Sequence, residues 1–200
     1  MVVAALLALA VVALAACGSS SKSSSSSGTG GAGGGGGAGA LSAEVKSAAT
    51  GDIPDNQNFL TYKNSGAGYS IKYPEGWSQS GAGRDVSFRD KNNIVRITVA
   101  PGSQPSAGSV RAELDRQRAT TPSLKAGAPK PAALKAGQAL KVTYTTASKP
   151  NPVTGKRVTL TVDRYVLAHG GKLATIDLGT PVGVDNVDAY RMMAQSFQWR

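Results

Sequence analysis

The sequence predicts an α+β fold: a single domain with an antiparallel β-sheet and helices packed on its faces, after a disordered tether. Three observations carry this prediction. From residue 58 onward, apolar residues recur in runs of period two, the spacing of a half-buried strand. Several of these runs are joined by hairpin-length links, which pair antiparallel neighbours. Two segments, one central and one last, carry helical spacing instead. Runs of strands interrupted by two helices make an antiparallel sheet with a helical cover.

The chain opens with an address. Residues 1–16, MVVAALLALAVVALAA, contain no polar or charged side chain. Such a run is the apolar core of an export signal, and it is shorter than the roughly 20 apolar residues a membrane span needs. Leu14-Ala15-Ala16-Cys17 follows, with an aliphatic residue three before the cysteine and a small one directly before it. Small polar residues come next. This pattern resembles the lipobox of bacterial lipoproteins. The resemblance implies that the Cys17 thiol takes a diacylglycerol and that the signal is cut before it. The cysteine then becomes the acylated amino terminus, carrying fatty chains such as palmitate. No basic residue precedes Lys22, so the positive charge usual in such signals comes from the free amino terminus or from residues upstream.

Residues 17–40 are then the lipidated cysteine and a tether of Ser and Gly whose one charge is Lys22. A chain of this kind cannot bury enough apolar area to offset its ordering entropy. As a coil it spans about 25 Å. Residues 41–57 read as a short helix or linker, and residues 58–200 as the domain.

Within the domain, GYSIKYP (68–74) places Tyr69, Ile71 and Tyr73 on one face and Ser70 and Lys72 on the other. Pro74 ends that strand, since it cannot donate to a ladder. DVSFRD (85–90) and NIVRITVAP (93–101) follow with a two-residue gap. Residues 109–120 predict a helix with Ser109 as N-cap, acidic residues early and arginines late. Residues 121–137 predict a loop spaced by Pro and Lys. ALKVTYTTA (139–147), KRVTLTVDRYVLAH (156–169) and KLATIDLG (172–179) predict strands, with 148–156 as a longer loop and Gly170-Gly171 as a tight turn. The last helix starts near Asp185, a capping residue, and carries Val187, Tyr190 and Phe197 on one face.

GYSIKYPEGW (68–77) resembles the opening strand of PsbP-like domains, and MMAQSFQW (192–199) resembles the last helix of that family. The resemblance covers about residues 58–200. The same domain occurs in actinobacterial lipoproteins of the LpqN type, behind a signal and a low-complexity tether. It implies an antiparallel sheet with packed helices and an accessory or binding role. It supplies no catalytic residues. YPEGW reads as structural, with Trp77 in the core.

Composition narrows the partners. The chain has 200 residues, one cysteine and a net charge of +10. With Cys17 lipidated, no disulfide is available to the domain. Residues 110–172 hold twelve basic and three acidic side chains, a net +9. Within that segment Lys149, Lys156, Arg157, Arg164 and Lys172 form a candidate basic surface. Its expected partners are an envelope protein, anionic lipid or a wall polymer, beside the membrane itself through the anchor. Nucleic acid is excluded by the export signal and by the lack of a binding motif. The domain is expected to be a monomer.

Chemistry is sparse. His169 is the one histidine, in a hairpin turn, and no GxSxG elbow accompanies it. One His and one lipidated Cys make no metal site. Asp85, Asp90, Asp185 and Asp188 flank elements, where turn and capping roles explain them. Gly66-Ala67-Gly68 and Gly81-Ala82-Gly83 lack the Lys-Ser/Thr of a phosphate loop. The expectation is therefore no catalysis, no metal and no cofactor. The chain reads as a lipid-anchored, non-enzymatic binding or accessory module on the outer face of the bacterial cytoplasmic membrane. The alternatives are a structural envelope protein without a discrete ligand and an unrecognised hydrolase. A cleft with convergent polar groups favours the first reading, a uniformly charged surface the second, a buried carboxylate pair the third.

Overall fold

The computed structural model describes residues 51–151 and 153–200. Leu14, Ala15, Ala16, Cys17, the tether and residues 41–50 of the helix or linker expected over 41–57 lie outside them, and residues 51–57 form turns and irregular backbone.

The elements run β1 (Phe59–Asn64), β2 (Tyr69–Pro74), β3 (Ser78–Ala82), β4 (Asp85–Asp90), β5 (Asn93–Pro101) and α1 (Ala107–Thr120). Then come β6 (Lys125–Ala126), β7 (Lys130–Leu134), β8 (Gly137–Ala147), β9 (Thr159–His169), β10 (Lys172–Pro181), α2 (Val187–Ser196) and β11 (Gln198–Trp199). Every strand pair is antiparallel. The expected α+β architecture is present, and its strands divide between two sheets. The larger has the order β3-β4-β5-β10-β9-β8-β6, with β7 also on β8, and the smaller has the order β1-β2-β11.

Alternation along the strands sets two cores. Val95, Ile97 and Val99 on β5, Ala174, Ile176 and Leu178 on β10, and Leu167 on β9 face one side of the large sheet. The small sheet and α2 cover that side with Tyr69, Ile71, Tyr190, Met193 and Phe197. Rings interlock there: Tyr69 stacks on Phe197 at 5.5 Å and Tyr73 on Phe88 at 4.1 Å. Trp77, 9% exposed, belongs to this core. On the opposite side, Val110 and Leu114 of α1 pack on Val142, Tyr144, Leu160, Val162 and Val166. Burying an aliphatic side chain of this kind stabilises by about 1.5–3 kcal/mol.

Several elements differ from expectation for identifiable reasons. The N-cap of helix α1 lies three residues before the expected one. Ser106 is the N-cap, and Ser109 is the third helical residue, each hydroxyl accepting the other's backbone N–H at 3.0 Å. Strands β6 and β7 occupy the segment expected as loop. Neither has an apolar alternation, and both sit on the outer edge of β8, where Pro131 costs no ladder bond to a further strand. Strand β3, SQSGA, is exposed throughout and gives no hydrophobic signal. The strand expected from residue 156 starts at Thr159.

A buried polar knot fixes the start of the domain. The Asn186 amide donates to Gly51 O at 3.1 Å and to Thr180 Oγ1 at 2.9 Å, and its Oδ1 accepts Ile53 N–H at 2.8 Å. Asn93 donates to the same Gly51 carbonyl and accepts from the Thr180 hydroxyl. With Asn186 turned inward, the Asp185 carboxylate takes the Val187 N–H at 3.2 Å, so the expected Asp185 contact exists one residue outside the cap position.

Candidate functional site

The small sheet turns Tyr69 and Ile71 inward, so Ser70 and Lys72 point the other way. Register brings Thr61 opposite Lys72 and Gln198 opposite Ser70, which puts these four on one face. The last turn of α2 ends against β2. There the Lys72 backbone N–H donates to Ser196 Oγ at 2.8 Å, and that hydroxyl donates to Met193 O at 2.6 Å. The turn between β7 and β8 leans on the same helix end. Gln195 holds it at both poles: its Oε1 accepts Lys135 N–H at 3.1 Å and its Nε2 donates to Ala133 O at 2.9 Å.

These three pieces enclose a cleft of about 350 Å³. Thr61, Ser70 and Lys72 line it from the small sheet, Lys135 from the β7–β8 turn, and Met192, Gln195 and Ser196 from α2. Gln198 and Arg200 complete it from the last segment. The volume lies near the lower end of small-molecule sites. Ser70, only 3% exposed, forms part of its floor. Three cationic residues and no Asp or Glu line this space. None of the three is ion-paired with a carboxylate among the described residues. Hydroxyls and amides supply the remaining polar groups. The arrangement suits an anion held by charge-assisted hydrogen bonds.

The residues proposed from sequence as a basic surface do not meet in one place. Lys149, Lys156 and Arg157 are exposed on the loop between β8 and β9. Lys172 stands at the far end of β9 and β10, where its Nζ donates to Ala67 O at 3.0 Å. The two places are separated by the length of β9, about 33 Å at 3.3 Å per residue.

Arg164 is a correction. It is 5% exposed and lies under α1's side of the sheet, with Nε 2.7 Å from Asp177 Oδ1 and Nη2 2.9 Å from Oδ2. Its guanidinium also sits 5.2 Å from the Tyr144 ring centre. Burial alone would pull its pKa down, and the Asp177 hydrogen bonds and charge reverse this and raise it. Such a group cannot serve a solvent-facing cationic surface.

His169 is exposed and stacks on Trp199, ring centres 6.0 Å apart. Asp85 pairs with Arg96 and Asp188 with Arg191. Among the described residues no group of three His, Cys, Asp or Glu is placed to hold a metal ion. No helix among them is long and apolar enough to cross a membrane. Among the described residues, the buried Tyr69 hydroxyl and Trp199 Nε1 make no hydrogen bond. Burial pushes the Tyr69 hydroxyl up to about 12. Both atoms lie on the inner side of the small sheet and not in the cleft.

Sequence reasoning missed the cleft. The outward placement of Lys72 was readable from the alternation of β2. Lys135 and Arg200 carry no pattern that ties them to it, because the cleft forms from segments more than fifty residues apart.

Comparison with known proteins adds the following. A protein-family model for PsbP matches residues 57–113, from just before β1 into α1. No curated protein matches the sequence. Among solved structures, the solution structure of cyanobacterial PsbP (CyanoP) from Synechocystis is similar, with 18% identity and a TM-score of 0.49. The alignment covers 75% of this chain and 98% of that one. The Ran-binding protein Mog1p of Saccharomyces cerevisiae has 10% identity and a TM-score of 0.47, over 72% and 96% of the two chains. LpqN of Mycobacterium tuberculosis, described as involved in cell envelope biogenesis, has 14% identity and a TM-score of 0.41, over 72% and 91%.

Proposed function

We propose that this chain is a lipid-anchored, non-enzymatic binding module on the outer face of a bacterial cytoplasmic membrane, and that the cleft beside α2 takes its ligand. One observation carries the reading. Lys72, Lys135 and Arg200 come from three separate segments to line one cleft, with hydroxyls and amides and without an Asp or Glu. Gathering like charges around a concave site is unfavourable unless a counter-charge joins them. An anionic group on a partner protein, lipid or wall polymer supplies it. The sequence supplies the location, through the apolar run of residues 1–16 and Leu14-Ala15-Ala16-Cys17.

Two measurements test this reading separately. Cys17→Ser is expected to release the protein from the membrane fraction, and retention there contradicts the anchor. A photo-cross-linking residue in place of Met192, at the half-buried wall of the cleft, is expected to capture one recurrent envelope partner in cells. Adding Lys72→Ala and Lys135→Ala is expected to abolish that capture. Capture that persists unchanged in the double variant removes the cleft from the proposal.

A further inference from the structure

The end of the large sheet away from the cleft has a composition of its own. Five large apolar residues are exposed among the described residues, and four of them gather at this end: Val153 (90%), Val158 (37%), Val182 (61%) and Val187 (60%). The strand register sets Val158 beside Val182, the loop from Val158 carries Val153, and the Asn186–Thr180 hydrogen bond brings the start of α2 with Val187 to the same end. Pro181 pairs with Leu160, Val182 N–H donates to Thr159 O at 3.0 Å, and Ser148 N–H donates to Val158 O at 2.8 Å.

Val153 does not hang on a loose loop. The Asn151 side-chain oxygen accepts the N–H groups of Val153 and Thr154, both at 2.9 Å. The Asn151 backbone closes the turn with Gly155 and Lys156, at 2.8 Å each. Arg157 Nη1 ties the base of the turn to Ser148 O at 2.7 Å. The result is a braced hairpin tip that presents a bare valine.

Cations frame that tip. Lys149, Lys156 and Arg157 belong to the loop, and Lys125 joins them through its pairing with Thr145. All four are exposed, and none is ion-paired with a carboxylate among the described residues. The carboxylates at this end stand on the α2 and chain-entry side, away from the loop: Asp185 accepts the Val187 N–H, Asp188 pairs with Arg191, and Asp52, Asp55 and Asp90 adjoin Gly51 and Asn93. The first described residue emerges at this same end, since Gly51 is bonded to Asn93 and Asn186. The chain that precedes Gly51 therefore joins the domain beside the valines and the lysines.

We infer that this end of the domain, with Val153 at its tip, docks on the headgroup layer of an anionic phospholipid bilayer. The cations meet lipid phosphates, and the valines enter the interface between headgroup and acyl chain. The tether from Cys17 holds the loop at high effective concentration near that surface, so a weak attraction is enough to orient the domain. In this orientation the cleft, which adjoins Lys135 and Arg200 at the opposite end, faces away from the bilayer. The inference rests on the membrane reading above and not on the cleft.

The test uses the full chain with Cys17→Ser, labelled with an environment-sensitive fluorophore at Val153→Cys or, in a second sample, at Ser65→Cys in the β1–β2 turn. The apolar run of residues 1–16 is common to both, so a difference between them reports the two positions. On vesicles of equal parts phosphatidylglycerol and phosphatidylcholine, the label at 153 is expected to shift to the blue and the label at 65 to stay unchanged. Pure phosphatidylcholine is expected to give no shift. About 1 M salt, which shortens the Debye length to about 3 Å, is expected to reverse the shift. Lys149→Ser with Lys156→Ser is expected to abolish it while leaving thermal unfolding in place. No shift at 153, an equal shift on neutral vesicles, or an equal shift at 65 overturns the inference. The Cys17→Ser fractionation above stands or falls independently of these results.

Discussion

The guanidinium of Arg164 and the carboxylate of Asp177 face each other across β9 and β10 and are bonded twice, at 2.7 and 2.9 Å. Their side chains are 6% and 13% exposed. Breaking such a pair leaves one charge buried without its partner, which costs about 3–5 kcal/mol. Asp177→Asn or Arg164→Met alone is expected to lose that much in equilibrium urea unfolding. Replacing both with apolar residues is expected to recover most of the loss, because neither charge then needs solvation. A single substitution costing under about 1 kcal/mol would show that water reaches the pair.

Arg164 also shows how far the sequence could be read. In KRVTLTVDRYVLAH it alternates in step with Val162 and Val166, and those valines pack under α1. Strict use of that period places Arg164 inward; counting charge along the segment places it outward. The period was decisive because a strand's two faces see different surroundings. The same period made β2, β4, β5, β8 and β10 legible. It was silent for β3 and β7, edge strands with no apolar side to bury. The division into two sheets depends on β2 pairing with β11, more than a hundred residues apart. Local pattern cannot specify such a contact, and the cleft shares this origin.

The Asp85–Arg96 pair lies on the same side of the sheet but is half exposed, at 56% and 48%. Its hydrogen bonds from Arg96 hold the Asp85 carboxyl below the usual carboxylate range. A carboxylate with a depressed folded pKa adds stability above its unfolded value of about 3.9, and this is lost as pH falls through the folded value. Stability measured by urea unfolding is therefore expected to decline below about pH 4. Asp85→Asn is expected to flatten that decline and to cost about 0.2–1 kcal/mol at neutral pH, the range of exposed pairs. An unchanged acid limb in the variant would assign the decline to other carboxylates.

Gly81 sits in β3 with φ +79°, and a Cβ there would stand 2.2 Å from Asp85 O. Gly76 has a similar φ of +87° and nothing within 4 Å of its Cβ position. The two positions separate backbone strain from steric conflict. Gly76→Ala is expected to cost about 1–2 kcal/mol, for an L-residue held in a left-handed conformation. Gly81→Ala is expected to cost clearly more, because the β3–β4 ladder must open to admit the methyl group. Equal losses in thermal unfolding would mean that the edge strand yields freely.

Gln195 couples the cleft to the fold through its two bonds to the β7–β8 turn. The rest of that turn is held by its own hairpin, in which Leu134 pairs with Gly137. Gln195→Ala removes an acceptor and a donor at a half-buried position, each bond worth about 0.5–1.5 kcal/mol. Global stability is expected to fall by about that amount per bond. The larger effect is local. The Lys135 amide is expected to exchange with solvent faster, since its acceptor is gone, while amides in the β9–β10 hairpin keep their protection. Capture by the cross-linker at Met192 is expected to weaken, because Lys135 is then no longer held at the cleft wall. Lost protection at Lys135 with undiminished capture would show that the ligand is held by Lys72 and Arg200 alone.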